Sequence, residues 1–486
     1  MNKEIKKLQP ELIWKNFVNL NAIPRPSKKE EKVIIFAKEF GESLNLETIV
    51  DDAGNVIIRK PATAGMENRV PVILQAHLDM VAQKNSEVDF NFDTEGINMY
   101  IDGDWVKAKG TTLGADNGIG VSSILSVLES KDIAHPDLEA LFTIDEETGM
   151  TGAIKLQPGI LNGKIMLNLD SEDDEEMTIG CAGGVDVTVT DSYKEKELKG
   201  DIESLEIKVS GLAGGHSGMD IHLYKGNANK MMNRILWTLN QEFKIGVKYI
   251  DGGGLRNAIP RESKSVISFL QKDKFKLLET LNSVVTDITN EYKTKEKDLK
   301  ISYKTVDAQS NVLKGKKLTK ILNAVYSCWN GIYRMSPDVE GLTQTSTNLA
   351  RVLVKDGAVL IENLTRSSVE SEKLDLANNI KSTFENIGAK VTFAGSYPGW
   401  QPDVTAKINN VMRDMYKKNF GSEPHITACH AGLECGLIKE KYVDCDMISF
   451  GPNIRNPHSP DERVQISSVQ KFWKLLIDTL ANIPSN

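Results

Sequence analysis

In the stretch VPVILQAHLDM, His77 and Asp79 stand two residues apart just beyond an unbroken apolar run. Residues two apart on an extended chain share a side, so Asp79 can reach one imidazole nitrogen and leave the other free for a metal ion. Asp116 lies in a glycine-flanked loop, GADNG, directly before a helical pattern, where capping that helix would be its ordinary use. Asp145, Glu146 and Glu147 follow the run LEALFTI. Three adjacent carboxylates beyond a buried strand cost stability unless a cation is present, although an exposed acidic turn would also account for them. Asp170 ends the run KIMLNL, and residues 171–176 continue as an acidic stretch read as solvent-facing. His458 stands in a Pro-rich loop after DMISFG. Two histidines and several carboxylates without a thiolate make an N/O donor set suited to zinc, with manganese or cobalt as alternatives. Five such ligands exceed what one tetrahedral ion uses, and a carboxylate bridging two ions about 3.5 Å apart accounts for the surplus.

The elements that must position these groups are legible from periodicity. VPVILQA, LEALFTI, KIMLNL and DMISFG are apolar without alternation, as strands covered on both faces are, and in open parallel sheets ligands gather beyond the carboxyl ends of such strands. PELIWKNFVNLNAIP and KKEEKVIIFAKEFGESL carry apolar residues at helical spacing, and NLETIVDDAGNVIIRK reads as strand, turn, strand. From about residue 186 to 397 the character changes to alternating, half-exposed strands such as VDVTVTDSY and SLEIKVSG, interleaved with helical stretches such as NANKMMNRILWTLNQEF. The expected class is therefore α/β: a mostly parallel sheet covered by helices, formed by residues 1–185 and 398–486, with an α+β domain inserted at 186–397. SYPGWQPD marks the return.

The 486 residues suffice for two domains, and a net charge of -8 argues against a nucleic-acid partner. The mixed-charge segment KTKEKDLK reads as a solvated face. The first residues lack the apolar core of a signal peptide and no run approaches the length of a membrane span, which points to the cytoplasm and to no membrane partner. Five cysteines without a C-x-x-C pair suit reduced thiols. Cys429 beside His430 could suggest a thiol nucleophile, but nothing near in sequence orients the pair.

The motifs HLDM, GADNG, DEETGMTGA, LNLDSED and NPHSPDERV resemble those of the dizinc exopeptidases related to peptidase T and carboxypeptidase G, and most of all the Xaa-His dipeptidases among them. The resemblance covers essentially the whole chain, including GHSGMDI, GGGLRNAIPRES, NLTRSS and HAGLECGLI. It implies a metal-dependent dipeptidase with two divalent ions, zinc first, and a short peptide as partner. It further implies that Asp116 bridges the ions, that His77 and Asp170 complete one coordination sphere and Glu147 and His458 the other, that Asp79 orients His77, and that Glu146 is the general base. The inserted segment becomes a lid in which His216 stabilises the oxyanion, Asn257 lies near the substrate and Arg366 binds the substrate carboxylate, a surface ion pair being the plainer use of that arginine. His430 and Glu434 match a stretch near the substrate pocket. An N-acyl amino acid deacylase or tripeptidase of the same fold, or a silent metal-stabilised binding protein, are the rival readings. A homodimer is an open alternative to a monomer.

Overall fold

The computed structural model describes residues 2–486 and divides into two compact units. One contains the chain up to Gly180 together with Trp400–Ala428 and Leu433–Asn486; the other contains Cys181–Gly399 and the short segment Cys429–Gly432. The second unit thus begins before residue 186, and it also takes up four residues from within the C-terminal stretch that the sequence assigns wholly to the first.

In the first unit, α1 (Glu11–Leu20) and α2 (Glu31–Ser43) precede the hairpin of β1 (Glu47–Val50) and β2 (Val56–Lys60). There follow β3 (Val72–His77), α3 (Ala115–Glu129), β4 (Leu138–Thr143), β5 (Ile165–Asn168) and β6 (Glu176–Cys181). After the second unit come α4 (Lys407–Phe420), β7 (His425–Cys429), α5 (Glu434–Lys441), β8 (Asp446–Ser449) and α6 (Ile466–Ala481). The eight strands form one sheet in the order β1-β2-β4-β3-β5-β8-β6-β7. Parallel pairing joins the four central strands β4, β3, β5 and β8, whereas β2 meets β4, and β6 meets β8, antiparallel.

Every residue of β3, β4 and β5 is buried, which is why these runs show no polar alternation. Helix α1 packs on α3, and α3 on β3. Trp14, Phe17, Leu74, Ile119, Phe142 and Phe472 belong to a core that draws on both the N-terminal and the C-terminal parts of this unit. Register aligns the strand ends: His77 lies opposite Thr143, and Gln75 opposite Asn168. The segments leaving β3, β4 and β5 therefore emerge at one edge.

The second unit is an antiparallel sheet with its own core. Its strands Gly183–Ser192, Thr343–Lys355 and Ala358–Ser367 lie side by side, with Lys390–Tyr397 beyond the first of them. Helices Ala228–Glu242, Lys274–Tyr292, Lys316–Ser327 and Glu370–Glu385 supply Met232, Leu281, Ile321 and Ile380 to that core.

Leu74 is fully buried in the central strand of the first sheet. Leu74→Ala is expected to lower stability by about 2–5 kcal/mol through lost burial and a residual cavity, read as a lower midpoint in urea unfolding of the metal-free protein; an unchanged midpoint would remove this strand from the core.

Candidate functional site

The aligned strand ends of the first unit bring five side chains together. His77 closes β3, Glu147 follows the turn after β4, Asp170 lies two residues beyond β5, His458 sits in the loop after β8, and Asp116 enters from the first turn of α3. His77 Nε2 stands 3.1 Å from Asp116 Oδ1 and 3.4 Å from Asp170 Oδ1. On the other side of the same carboxylate, His458 Nε2 stands 3.2 Å from Asp116 Oδ2 and 2.9 Å from Glu147 Oε2. Asp116 thus belongs to two triads, His77–Asp116–Asp170 and Asp116–Glu147–His458, each of which could hold a metal ion. Its side chain does not cap α3.

The donors fit divalent ions. Two ligand atoms each about 2.1 Å from a tetrahedral ion stand about 3.4 Å apart, close to the separations found here. Glu147 Oε1 is buried without a hydrogen-bond partner, as expected of an atom whose natural partner is a cation. The ionisation pattern agrees. Burial pushes up the pKa of Asp170 and Glu147. Burial works the same way on Asp116, but His458 and His77 hold its carboxyl below the usual range. Hydrogen bonds to Asp116 and Glu147 raise His458 to about 11, and although burial opposes it, Asp170, Asp116 and Asp79 hold His77 well above an ordinary imidazole. Protons here offset negative charge that divalent ions would otherwise neutralise, and ligand donors must shed protons to bind metal.

Asp79 is fully buried. Its Oδ1 lies 3.3 Å from His77 Nδ1, although off the line of a hydrogen bond, and its two oxygens accept from Glu146 N at 3.0 Å, Glu147 N at 3.3 Å and Ser27 Oγ at 2.8 Å. One carboxylate thereby braces both the ring of His77 and the turn that carries Glu146. Glu146 lies close enough to His77 and Glu147 to complete a further triad, and burial raises its pKa well above the carboxylate range. The neighbouring Asp145 is buried and accepts from Thr148 and Thr151, so the three acids do not form an exposed turn.

The second unit gathers another cluster. Arg366 is 4 % exposed and forms no ion pair among the described residues. Its Nη1 donates to Tyr397 Oη at 2.8 Å and its Nε to Ser217 Oγ at 3.4 Å, while Nη2 lies 3.5 Å from His216 Nε2. The chemistry of a buried guanidinium without an acidic partner suits an anion better than a surface pair. His216 Nδ1 accepts from Gly218 N and Met219 N, which places the proton of the neutral ring on Nε2; burial and Arg366 lower its pKa and favour that neutral form. Ser346, which faces Arg366 across the sheet, bonds His430 Nε2 at 2.8 Å, and burial with the Arg366 charge brings His430 down to about 3. Gly184 lies beside both Arg366 and Tyr397; a Cβ there would meet the Tyr397 ring at 2.7 Å, so its bare backbone makes the room that lets the phenol reach the guanidinium.

Glu434 belongs to the first unit, where Gln75 Nε2 and Thr143 Oγ1 donate to its Oε2 and burial pushes its pKa up to about 7, whereas His430 belongs to the second. The side chain of Asn257 is exposed, and its backbone carbonyl accepts from Ser217 N. Glu172 is only partly exposed, where the acidic run suggested a solvent-facing side chain; burial, with Asp116 and Asp170 nearby, raises its carboxyl to about 8. Tyr397 and Ser346 carried no recognisable signal, since each gains its meaning from partners distant in sequence. Among the described residues none of the five cysteines forms a disulfide, and Cys429 Sγ lies 3.5 Å from Met219 Sδ.

The model of peptidase family M20/M25/M40 matches residues 73–482. Over 483 residues, 99% of both chains, the sequence is 41% identical to the cytosol non-specific dipeptidase of Escherichia coli (strain K12). The crystal structure of aminoacylhistidine dipeptidase from Vibrio alginolyticus matches with a TM-score of 0.96 at 42% identity, covering 100% of this chain and 99% of that one. A tripeptidase from Staphylococcus aureus shares the fold at a TM-score of 0.56 and 14% identity, over 98% and 99% of the two chains.

Because Asp116 contributes to both triads, Asp116→Ala is expected to lose both ions where the wild type holds about two per chain, measured by elemental analysis after dialysis. Retention of two ions by the variant would rule out the shared ligand.

Proposed function

The chain belongs to peptidase family M20/M25/M40, and from that premise we propose that it is a metal-dependent dipeptidase that hydrolyses unblocked dipeptides, Xaa-His dipeptides such as carnosine included. The observation that supports this reading most is Asp116 offering one oxygen to each of two histidine-containing triads, with Glu146 beside them. His77, Asp116 and Asp170 would hold one divalent ion, and Asp116, Glu147 and His458 the other. Zinc suits these donors, with cobalt or manganese as substitutes. When bound, such ions supply Lewis acidity toward the carbonyl and lower the pKa of water.

The chain's own residues do the rest. Glu146 takes the proton of the attacking water and later passes it to the leaving amine, a role suited to a buried carboxyl whose proton affinity is raised. Asp79 keeps Glu146 in place through its backbone N–H. His216, with its proton on Nε2, donates to the oxygen on which charge develops. Arg366 receives the free carboxylate of the peptide, oriented by Tyr397. The Escherichia coli relative is named a cytosol enzyme and no described helix is long and apolar enough to cross a membrane, so the same compartment is proposed here.

Glu146→Gln is expected to keep its metal and lose about 10²-fold to 10⁴-fold in turnover, whereas Glu147→Gln should weaken metal binding; elemental analysis beside kinetics distinguishes them, and the opposite result would exchange the two roles. The substrate reading is tested on a dipeptide panel after reconstitution with zinc, manganese or cobalt, each dipeptide paired with its C-terminal amide. Amidation should cost the wild type about 1.5–3 kcal/mol in kcat/KM and Arg366→Ala much less. Equal hydrolysis of acid and amide by the wild type would exclude a carboxylate clamp at Arg366.

A further inference from the structure

Four consecutive backbone N–H groups, from Leu113 to Asp116, converge on one carboxylate. Glu462 Oε2 accepts from Leu113 N at 2.7 Å and Gly114 N at 2.9 Å, and its Oε1 from Ala115 N at 2.7 Å and Asp116 N at 3.3 Å. Glu462 is 2 % exposed and stands outside both donor triads. Burial draws its pKa up to about 7 against the pull of these amides, and four donors on two oxygens require the lone pairs that the ionised form has in full. Charge of the opposite sign arrives from Arg25, also buried, whose Nη1 donates to the carbonyls of Leu78 at 3.0 Å and Asp79 at 2.9 Å and whose Nη2 donates to Gly114 O at 2.6 Å. Gly114 therefore gives its N–H to Glu462 and its C=O to Arg25. Its φ is 69°, and a Cβ would come within 2.5 Å of the guanidinium, so the turn before Asp116 has no freedom to carry a side chain there.

Glu462 follows His458 by one turn of the same loop, closed by Glu462 N donating to Ser459 O at 3.0 Å. Its side chain consequently ties the loop that carries His458 to the backbone that carries Asp116. His458 needs such a tether: its side chain is 51% exposed, its backbone has a φ of 58°, and among the described residues its ring pairs only with Asp116 and Glu147. The triad of His77, Asp116 and Asp170 is held differently, two of its three members standing at or just past the ends of buried strands. Resting on the two-ion reading above, we propose that Glu462 is a positioning residue that fixes the separation of Asp116 from His458 and thereby sets the affinity of the ion held by Asp116, Glu147 and His458, with much less influence on the other ion.

The test uses the apoprotein titrated with Zn²⁺ against a competing chromophoric chelator. Glu462→Gln presents an amide N–H₂ to two of the four backbone N–H groups. Glu462→Asp keeps both acceptors but retracts them by one methylene, and it provides the reading should the glutamine variant fail to fold. In the folded variant, confirmed by thermal unfolding of the apoprotein, one of the two Zn²⁺ affinities is expected to fall about 10-fold to 100-fold and the other to stay within about 3-fold, the size of effect found for groups that support metal ligands. In a His458→Ala background, adding the Glu462 substitution should not weaken the remaining ion further. Wild-type stoichiometry tests the two-ion reading separately. Equal loss at both ions, or unchanged affinities with apo and zinc-loaded melting temperatures lowered alike, would overturn the positioning role.

Discussion

Desolvated negative charge is the constraint on which the rest of this structure depends. Asp116, Glu147, Asp170 and Glu146 crowd the edge of a sheet whose strands are buried throughout, and carboxylates so placed repel one another and lack the water that would screen them. Such an arrangement is held only by a fold stable enough to absorb its cost. The four parallel strands do so, since their ends are aligned by backbone pairing alone and owe nothing to the side chains that project beyond them. The scaffold can thus be optimised for burial while the strand ends are spent on chemistry.

Between scaffold and donors lies a layer of buried ionic groups whose partners are mostly backbone. Asp79 accepts from two amides of the turn after β4, Glu462 from four amides before and within α3, and Arg25 donates to three carbonyls. Backbone groups cannot rotate away as side chains can, so these contacts transmit the rigidity of the sheet to residues that are not themselves in it. The second unit shows a contrasting solution. Arg366 meets the hydroxyls of Ser217 and Tyr397 and the imidazole of His216, and among the described residues it has no carboxylate partner.

How much of this was legible in the sequence follows from what kind of signal each residue carries. Strands β3, β4 and β5 announce themselves because burial on both faces leaves continuous apolar runs, and the acids and histidines just past them are visible by position alone. Periodicity could not separate Glu146 from Glu147, because adjacent residues in a short turn share the same local pattern; the contact of Glu147 with His458, more than 300 residues away in sequence, is what tells them apart. Glu462 lay in plain view within NPHSPDERV, yet its meaning depends on the amides of residues 113–116. Tyr397 likewise requires the register that sets Gly184 beside Arg366. Glu172 was misjudged because an acidic run was read as a unit, whereas only Glu175 and Glu176 of that run are exposed.

The order of the strands has a consequence for biosynthesis. β8 lies between β5 and β6 in the finished sheet, yet it is translated about 280 residues after β5, an interval on the order of tens of seconds at roughly 5–20 residues per second. Throughout that time the nascent chain carries an apolar strand with an open hydrogen-bonding edge, the kind of surface that seeds aggregation. The inserted unit, almost all of which is continuous in sequence, emerges meanwhile and can close its own core first. Vectorial synthesis would then make the domain that bears the metal donors the last to mature, and the one with most need of a chaperone while the ribosome is still at work.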